Sequence, residues 1–313
     1  MKSNSKISTY LLLGVVSLSL SLGSCRKKEE DVVEEESTDT EQSTAEDNNT
    51  AEAYVVDIES IGSEVTEKGT LEQYKGASEE GITASACATV TGYGTKIVTV
   101  DFGTGCVGND GRTRSGKLIY DFTASTPTTA AYYRNPGFSM SVSSQNYVVD
   151  GFTVNIISKN VSNTTPATLP LGVNPGTNLT WAINANVSIV KPNGGGTFSW
   201  TCSRTKELMN TSDSTCYRGQ SLAIVWSKAI VKINGSASGV NAKSENYTAV
   251  ATNLVRDFNC SPDLSRPRRH PFISGTVVYT PGARRVRTLD YGTGACDLTA
   301  VLTIGTKTAT INL

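Results

Sequence analysis

Leu179-Thr180-Trp181-Ala182-Ile183-Asn184-Ala185-Asn186-Val187-Ser188-Ile189 is followed, across Pro192-Asn193-Gly194-Gly195-Gly196, by Thr197-Phe198-Ser199-Trp200-Thr201-Cys202-Ser203-Arg204. Apolar and polar side chains alternate in both runs, which is the period of a half-buried strand. The glycine-rich segment between them is turn chemistry, so the two runs predict an antiparallel hairpin.

Working outward, the same alternation recurs on both sides. Ile97–Phe102 and Lys117–Phe122 flank a loop rich in glycine and charge. Further strands are expected at Phe138–Ser144, Phe152–Ser158, Ala223–Ile233, Tyr247–Leu254, Ile273–Tyr279, Val286–Tyr291, Leu298–Ile304 and Lys307–Leu313. Asp150-Gly151, Asn234-Gly235 and Pro281-Gly282 read as turns between them. Thr, Val, Ile, Gly, Asn and Ser dominate, a composition that suits pleated strands and tight turns. The fold class is therefore all-β, mostly an antiparallel meander, as a sandwich or an open barrel. One short N-terminal helix is expected at about 50–67. There Tyr54, Val55, Ile58, Ile61 and Val65 fall on one face, with Asn49 or Thr50 as cap, and the helix would pack on or near the sheet.

The N-terminus carries an address. Lys2 and Lys6 precede a run rich in Leu, Val and Ser from Ile7 to Leu22, too short for a bilayer core that needs about 20 apolar residues. Leu22-Gly23-Ser24-Cys25 resembles the cleavage site of lipoprotein signal peptides. Residues 1–24 are thus expected to be removed and Cys25 to be lipidated, anchoring the chain to a membrane. Residues 25–50 are acidic, with ten carboxylates against three cations, and read as a disordered tether. The body, 51–313 with strands from about 87, is left mildly basic, although the whole chain carries a net charge of −1. That balance, together with the address, gives no support for a nucleic-acid partner.

Six cysteines remain: Cys87, Cys106, Cys202, Cys216, Cys260 and Cys296. An even number in an exported chain reads as disulfides. Six cysteines allow 15 pairings, of which proximity favours Cys87–Cys106, Cys202–Cys216 and Cys260–Cys296. No closely spaced cysteine pair exists, and His270 is the single histidine. No metal and no cofactor are therefore expected.

Several stretches imitate chemistry. Gly103-Thr104-Gly105-Cys106-Val107-Gly108 fits a dinucleotide loop, but a turn follows where a helix must start. Gly111-Arg112-Thr113-Arg114-Ser115-Gly116-Lys117 fits a phosphate loop, but Leu118 stands where the hydroxyl for magnesium belongs. Asp101-Phe102-Gly103 lacks the partners of its kinase counterpart. Asn109 and Asp110 could offer oxygens to calcium, though a charged hairpin loop is the simpler reading. Val100-Asp101-Phe102-Gly103-Thr104-Gly105-Cys106 is echoed by Leu289-Asp290-Tyr291-Gly292-Thr293-Gly294-Ala295-Cys296. Each copy reads as a strand end, a glycine turn and a disulfide, and the alternative is a paired carboxylate site of Asp101 and Asp290.

Arg256, Arg266, Arg268, Arg269, Arg284, Arg285 and Arg287 could meet an anionic glycan or lipopolysaccharide phosphates. A triad built on His270, in its Pro-bounded basic loop, is weakly supported. Trp181, Trp200 and Trp226 could stack on sugars, but each sits in an apolar strand pattern and reads as core. Asp213-Ser214-Thr215 resembles a short O-glycosylation acceptor.

The motifs together resemble a family of surface lipoproteins of Bacteroidota. The resemblance is carried by Cys87-Ala88-Thr89-Val90-Thr91, Asp101-Phe102-Gly103, Gly105-Cys106 and Gly108 to Lys117. Asn146-Tyr147, Leu179-Thr180-Trp181, Ser203-Arg204-Thr205 and Leu289-Asp290-Tyr291-Gly292 add to it. It spans Cys87 to Leu313 and implies an origin and an outer-membrane, surface-exposed address. No catalytic residue comes with it, and Cys202 and Cys216 stand outside its pattern. The expectation is a non-enzymatic binding or structural envelope protein, with a glycan-binding or glycan-processing accessory lipoprotein as the alternative.

Overall fold

The computed structural model describes residues 43–68, 87–92, 94–108, 110–126, 132–166, 178–219, 222–260 and 272–312. Cys25, Asn109 and the loop bearing Arg266, Arg268, Arg269 and His270 lie outside the described residues. One helix, α1 (Ser43–Lys68), precedes fourteen strands among them. β1 (Thr89–Thr91), β2 (Ile97–Asp101), β3 (Cys106–Val107), β4 (Thr113–Asp121) and β5 (Ser139–Val149) come first. β6 (Phe152–Asn163), β7 (Thr180–Val190), β8 (Thr197–Leu208) and β9 (Ile230–Val240) follow. β10 (Asn246–Asp257), β11 (Phe272–Pro281), β12 (Arg287–Thr293), β13 (Thr299–Ile304) and β14 (Lys307–Asn312) complete the chain.

All fourteen strands belong to one antiparallel sheet, and each pairs with its neighbours in sequence, apart from β3, which pairs only with β4. β1 and β14 are its edges. A sandwich needs two sheets, so of the two expected architectures the curled open sheet is the one observed. Alternation sorts the side chains as expected. Trp181, Ile183, Ala185, Val187 and Ile189 of β7 are buried, as are Phe198, Trp200 and Cys202 of β8. The opposite face carries exposed Ser141, Asn160, Asn184, Ser203 and Ser236, directly opposed across β5 to β9.

The helix corrects two expectations. It begins at Ser43, so eight residues assigned to the tether, with both proposed caps, lie within it. It is also enclosed rather than laid on the sheet: from Ser43 to Glu67 only Glu46 is exposed. Consecutive helix residues point about 100° apart, and three in a row reach two separate strands of the sheet. Asp57 meets Arg114 of β4, the Ile58 carbonyl accepts from Tyr120 of β4, and Glu59 meets Lys206 of β8. An acidic segment can fold inside because cations on the wall neutralise it. The sheet is thus curled around α1.

Two further corrections concern β9 and the cysteines. Ala223–Ala229 is not strand; it contains a 3-10 turn at Trp226–Lys228, and β9 starts at Ile230. Asn234-Gly235 is not a hairpin turn but lies within β9, opposite a bulge on β10 at Thr252 and Asn253. There the Asn253 N–H donates to Asn234 Oδ1 at 2.7 Å, and Arg204 Nη1 donates to the Gly235 carbonyl at 2.7 Å. Cys87–Cys106 and Cys260–Cys296 are disulfides, each with Cα atoms 5.5 Å apart. Cys202 and Cys216 are not bonded to each other; both are buried thiols. The cause is strand geometry. Cys202 points inward in mid-β8, and the six residues from there to Leu208 rise about 20 Å, far beyond disulfide reach. Cys216 lies past that end, with its thiol donating to Asn210 Oδ1 at 3.5 Å.

Candidate functional site

The polar groups of the interior form a series along α1. Lys191 meets Asp47, and Arg204 meets Glu52 at 3.0 Å. Arg134 meets Glu67 near the helix end. Asn48 accepts from Trp200 Nε1 at 2.8 Å, and Asn49 accepts from the Tyr279 hydroxyl at 2.8 Å. Between these lie two tighter clusters.

The first is centred on Arg114, whose side chain is wholly buried. Its Nη2 donates to Asp57 and to Asp110, both at 2.6 Å, and its Nε donates to Asp57 at 3.1 Å. The Tyr147 hydroxyl adds a longer contact to Asp57, 3.4 Å. Burial raises the Asp110 pKa, against the pull of Arg114. With Arg114 on its oxygens, Asp110 is a pillar of the ion cluster.

The second is centred on Glu59, from the middle of α1. Its Oε1 accepts from the Tyr133 hydroxyl at 2.6 Å and from Lys206 Nζ at 3.2 Å. Its Oε2 faces Lys159 Nζ of β6 at 3.6 Å. Lys206 Nζ lies 5.3, 5.6 and 4.7 Å from the ring centres of Tyr133, Trp181 and Trp226, an aromatic cage favourable to a cation. Burial alone would raise the Glu59 pKa, but the charges of Lys206 and Lys159 and the Tyr133 bond outweigh it and hold the carboxyl below its usual range. Burial pulls Lys159 down and pushes Tyr133 well up.

Beside Glu59 lies a cavity of about 80 Å³, lined by Glu59, Glu64, Lys206, Trp226, Arg256 and Phe258 among others. It is large enough for several waters but well below the usual size of a ligand pocket, roughly 300–1,000 Å³. Arg256 lies over the Phe272 ring at 4.4 Å, and its Nε is buried without a hydrogen-bond partner.

The residues singled out in the sequence fall as follows. Asp101 and Asp290 do not build a shared site. Each closes its own turn, accepting from the N–H of Gly103 at 2.9 Å and of Gly292 at 2.8 Å. Both glycines have positive φ, and each turn leads to a disulfide cysteine. Trp181 and Trp200 are buried in the core, while Trp226 is half-buried at the cavity. The described arginines do not form one exposed patch. Arg284 pairs with Glu245 at 2.6 Å, and Arg287 is buried and donates to the Arg285 carbonyl at 2.6 Å. Ser214 is exposed, in a turn where Thr215 donates to Asp213.

No protein-family model, curated protein or solved structure matches this chain.

The two clusters escaped sequence reading, although part of the signal was there. Arg204 and Lys206 continue the inward phase set by Phe198, Trp200 and Cys202, which is where a charge needs an inward partner. Lys159 gave no such sign, because a bulge between Ile156 and Ser158 shifts its phase.

Proposed function

We propose that the protein is a lipid-anchored envelope protein, held at Cys25 on the outer membrane and exposed at the cell surface. Its body would serve binding or structure rather than catalysis. The observation that carries the non-enzymatic reading is the distribution of charge. Buried Arg114, Arg204 and Lys206 are engaged with α1, whereas the outer face of β5 to β9 presents mostly uncharged hydroxyl and amide side chains. Such a face suits contact with hydrated, hydroxyl-rich polymers such as envelope glycans. An outward apolar band, which a lipid-facing barrel requires, is not what Ser141, Asn160, Asn184, Ser203 and Ser236 provide. The glycan-cleaving alternative would need a carboxylate pair at an accessible site, and Asp101 and Asp290 are each tied into separate turns.

Metabolic labelling with a fatty acid tests the anchor: label on the wild type and none on Cys25→Ala is expected. Protease shaving of intact cells tests the address. A body digested only after lysis would overturn surface exposure. Release of shorter sugars from envelope polysaccharide by the purified protein would overturn the non-enzymatic reading.

A further inference from the structure

We propose that Lys159 and Glu59 condense into an intramolecular amide that joins β6 covalently to α1. The geometry points to the two atoms concerned. Lys159 Nζ and Glu59 Oε2 are both buried, both lack a hydrogen-bond partner, and face each other at 3.6 Å. An ordinary buried ion pair closes to a charge-assisted hydrogen bond of about 2.7–2.9 Å, and this one does not. The other carboxyl oxygen is held quite differently. Oε1 accepts from Tyr133 at 2.6 Å and from Lys206 at 3.2 Å, the arrangement that stabilises negative charge on a tetrahedral intermediate. Lys206 is itself held by the Tyr133, Trp181 and Trp226 rings.

The step balances without any outside reagent. A proton passes from the Lys159 ammonium to Glu59 Oε2, leaving an amine beside an acid. Nζ attacks the carboxyl carbon, forming the N–C bond, while charge builds on Oε1 between Tyr133 and Lys206. Oε2 takes a second proton from Nζ and leaves as water, breaking its bond to carbon. Nothing is oxidised or reduced. Burial lowers the Lys159 pKa and so favours the first transfer, against the hold of Lys206 and Tyr133 on the Glu59 carboxylate. In bulk water such a condensation is opposed. Two groups fixed side by side by the fold can act at an effective molarity of roughly 10⁵–10⁸ M. The reaction removes the charges of Lys159 and Glu59, and leaves Lys206 on the amide oxygen and its three aromatic rings. The cavity against Glu59 offers the released water a place. The product fixes α1 inside the sheet with a bond that neither salt nor acid breaks.

The test uses the full chain with a protease site inserted between Lys68 and Cys87. After cleavage, the sample is boiled in detergent with reductant. The wild type is expected to keep α1 attached to the β body, and Lys159→Arg to release it. Trypsin, which cuts after a free lysine, is expected to leave Lys159 uncut in the wild type. The bridged peptides should weigh one water less than their sum. Release of α1 from the wild type, or normal cleavage after Lys159, overturns the proposal whatever the variant does. A bridge that persists in Lys159→Arg overturns the assignment to Lys159.

Discussion

Arg114 shows how a single side chain can decide whether a buried acidic element is tolerated. It joins Asp57 of the helix to Asp110 of the β3–β4 loop; its removal leaves buried Asp57 without its cation and Asp110 with only Arg112, at 3.5 Å. Arg114→Met is expected to cost about 3–5 kcal/mol, read as a lower midpoint in urea denaturation. Replacing Asp57 and Asp110 by Asn in the same chain should recover part of that loss, because the orphaned charges are then gone. Cys202 supports a second expectation at this scale. Burial pushes its thiol pKa up to about 11. A thiol is reactive only as thiolate, and at pH 8 this one is almost wholly protonated; the fraction ionised rises only as the pH approaches the raised value. With Cys25 acylated or replaced, a thiol-reactive chromophore should therefore report no reaction in the native protein and two thiols after unfolding without reductant.

At the scale of elements, the same device bends the sheet at two interior strand pairs. On β5, Asn146 has φ 49° and sits in a bulge opposite Gly116 of β4, whose φ is 77°. On β10, Asn253 has φ 50° and lies opposite Gly275 of β11, whose φ is 96°. A Cβ on Gly116 would collide with the Asn146 carbonyl, and one on Gly275 with that of Asn253. Such bulges increase local twist and curl a sheet. Gly116→Ala combines a positive φ with a backbone collision and is expected to destabilise by roughly 2–4 kcal/mol. Gly105→Ala, with no atom within 4 Å and no positive φ, should change stability little. Thermal unfolding of the two variants side by side checks the contrast. Gly62 plays the matching part on α1, where a Cβ would meet Met140 and Tyr120. Its lack of a side chain lets the helix seat against β4 and β5.

For the molecule as a whole, sheet and helix are mutually dependent. The sheet's inner surface carries Arg114, Lys159, Arg204 and Lys206 among apolar side chains, and α1 supplies the carboxylates they face. A chain lacking 43–68 would expose that mixture to water, with its cations unpaired. It is expected to aggregate or stay unfolded, seen as loss of the sharp thermal transition and binding of a hydrophobic dye. The two disulfides close loops of 19 and 36 residues, one near each edge of the sheet. Each should contribute about 3–4 kcal/mol by restricting the unfolded chain, so reduction should lower the melting temperature without changing the strand content at low temperature.

Alternation along Leu179–Ile189 and Thr197–Arg204, repeated down the chain, was enough to read an antiparallel meander, because strand side chains alternate faces by covalent geometry alone. The paired Asp-aromatic-Gly turns were also legible, since they depend on local chain chemistry, whereas proximity found two disulfides and failed for Cys202 and Cys216, the pair nearest in sequence. The lipid anchor proposed at Cys25 rests on a short linear motif alone. Only the tertiary structure decided that the acidic helix lies within the sheet, that Cys202 and Cys216 stay apart, and that Asn234-Gly235 continues a strand. Each of these depends on partners far away in the chain: Arg114, Arg204 and Lys206 for the helix, the length of β8 for the thiols, and the bulge on β10 for the glycine. The Glu59 cluster belongs with them, because its four polar groups come from α1, the chain before β5, β6 and β8. Charge in a sequence says that a partner is needed, and the fold alone says which one it meets.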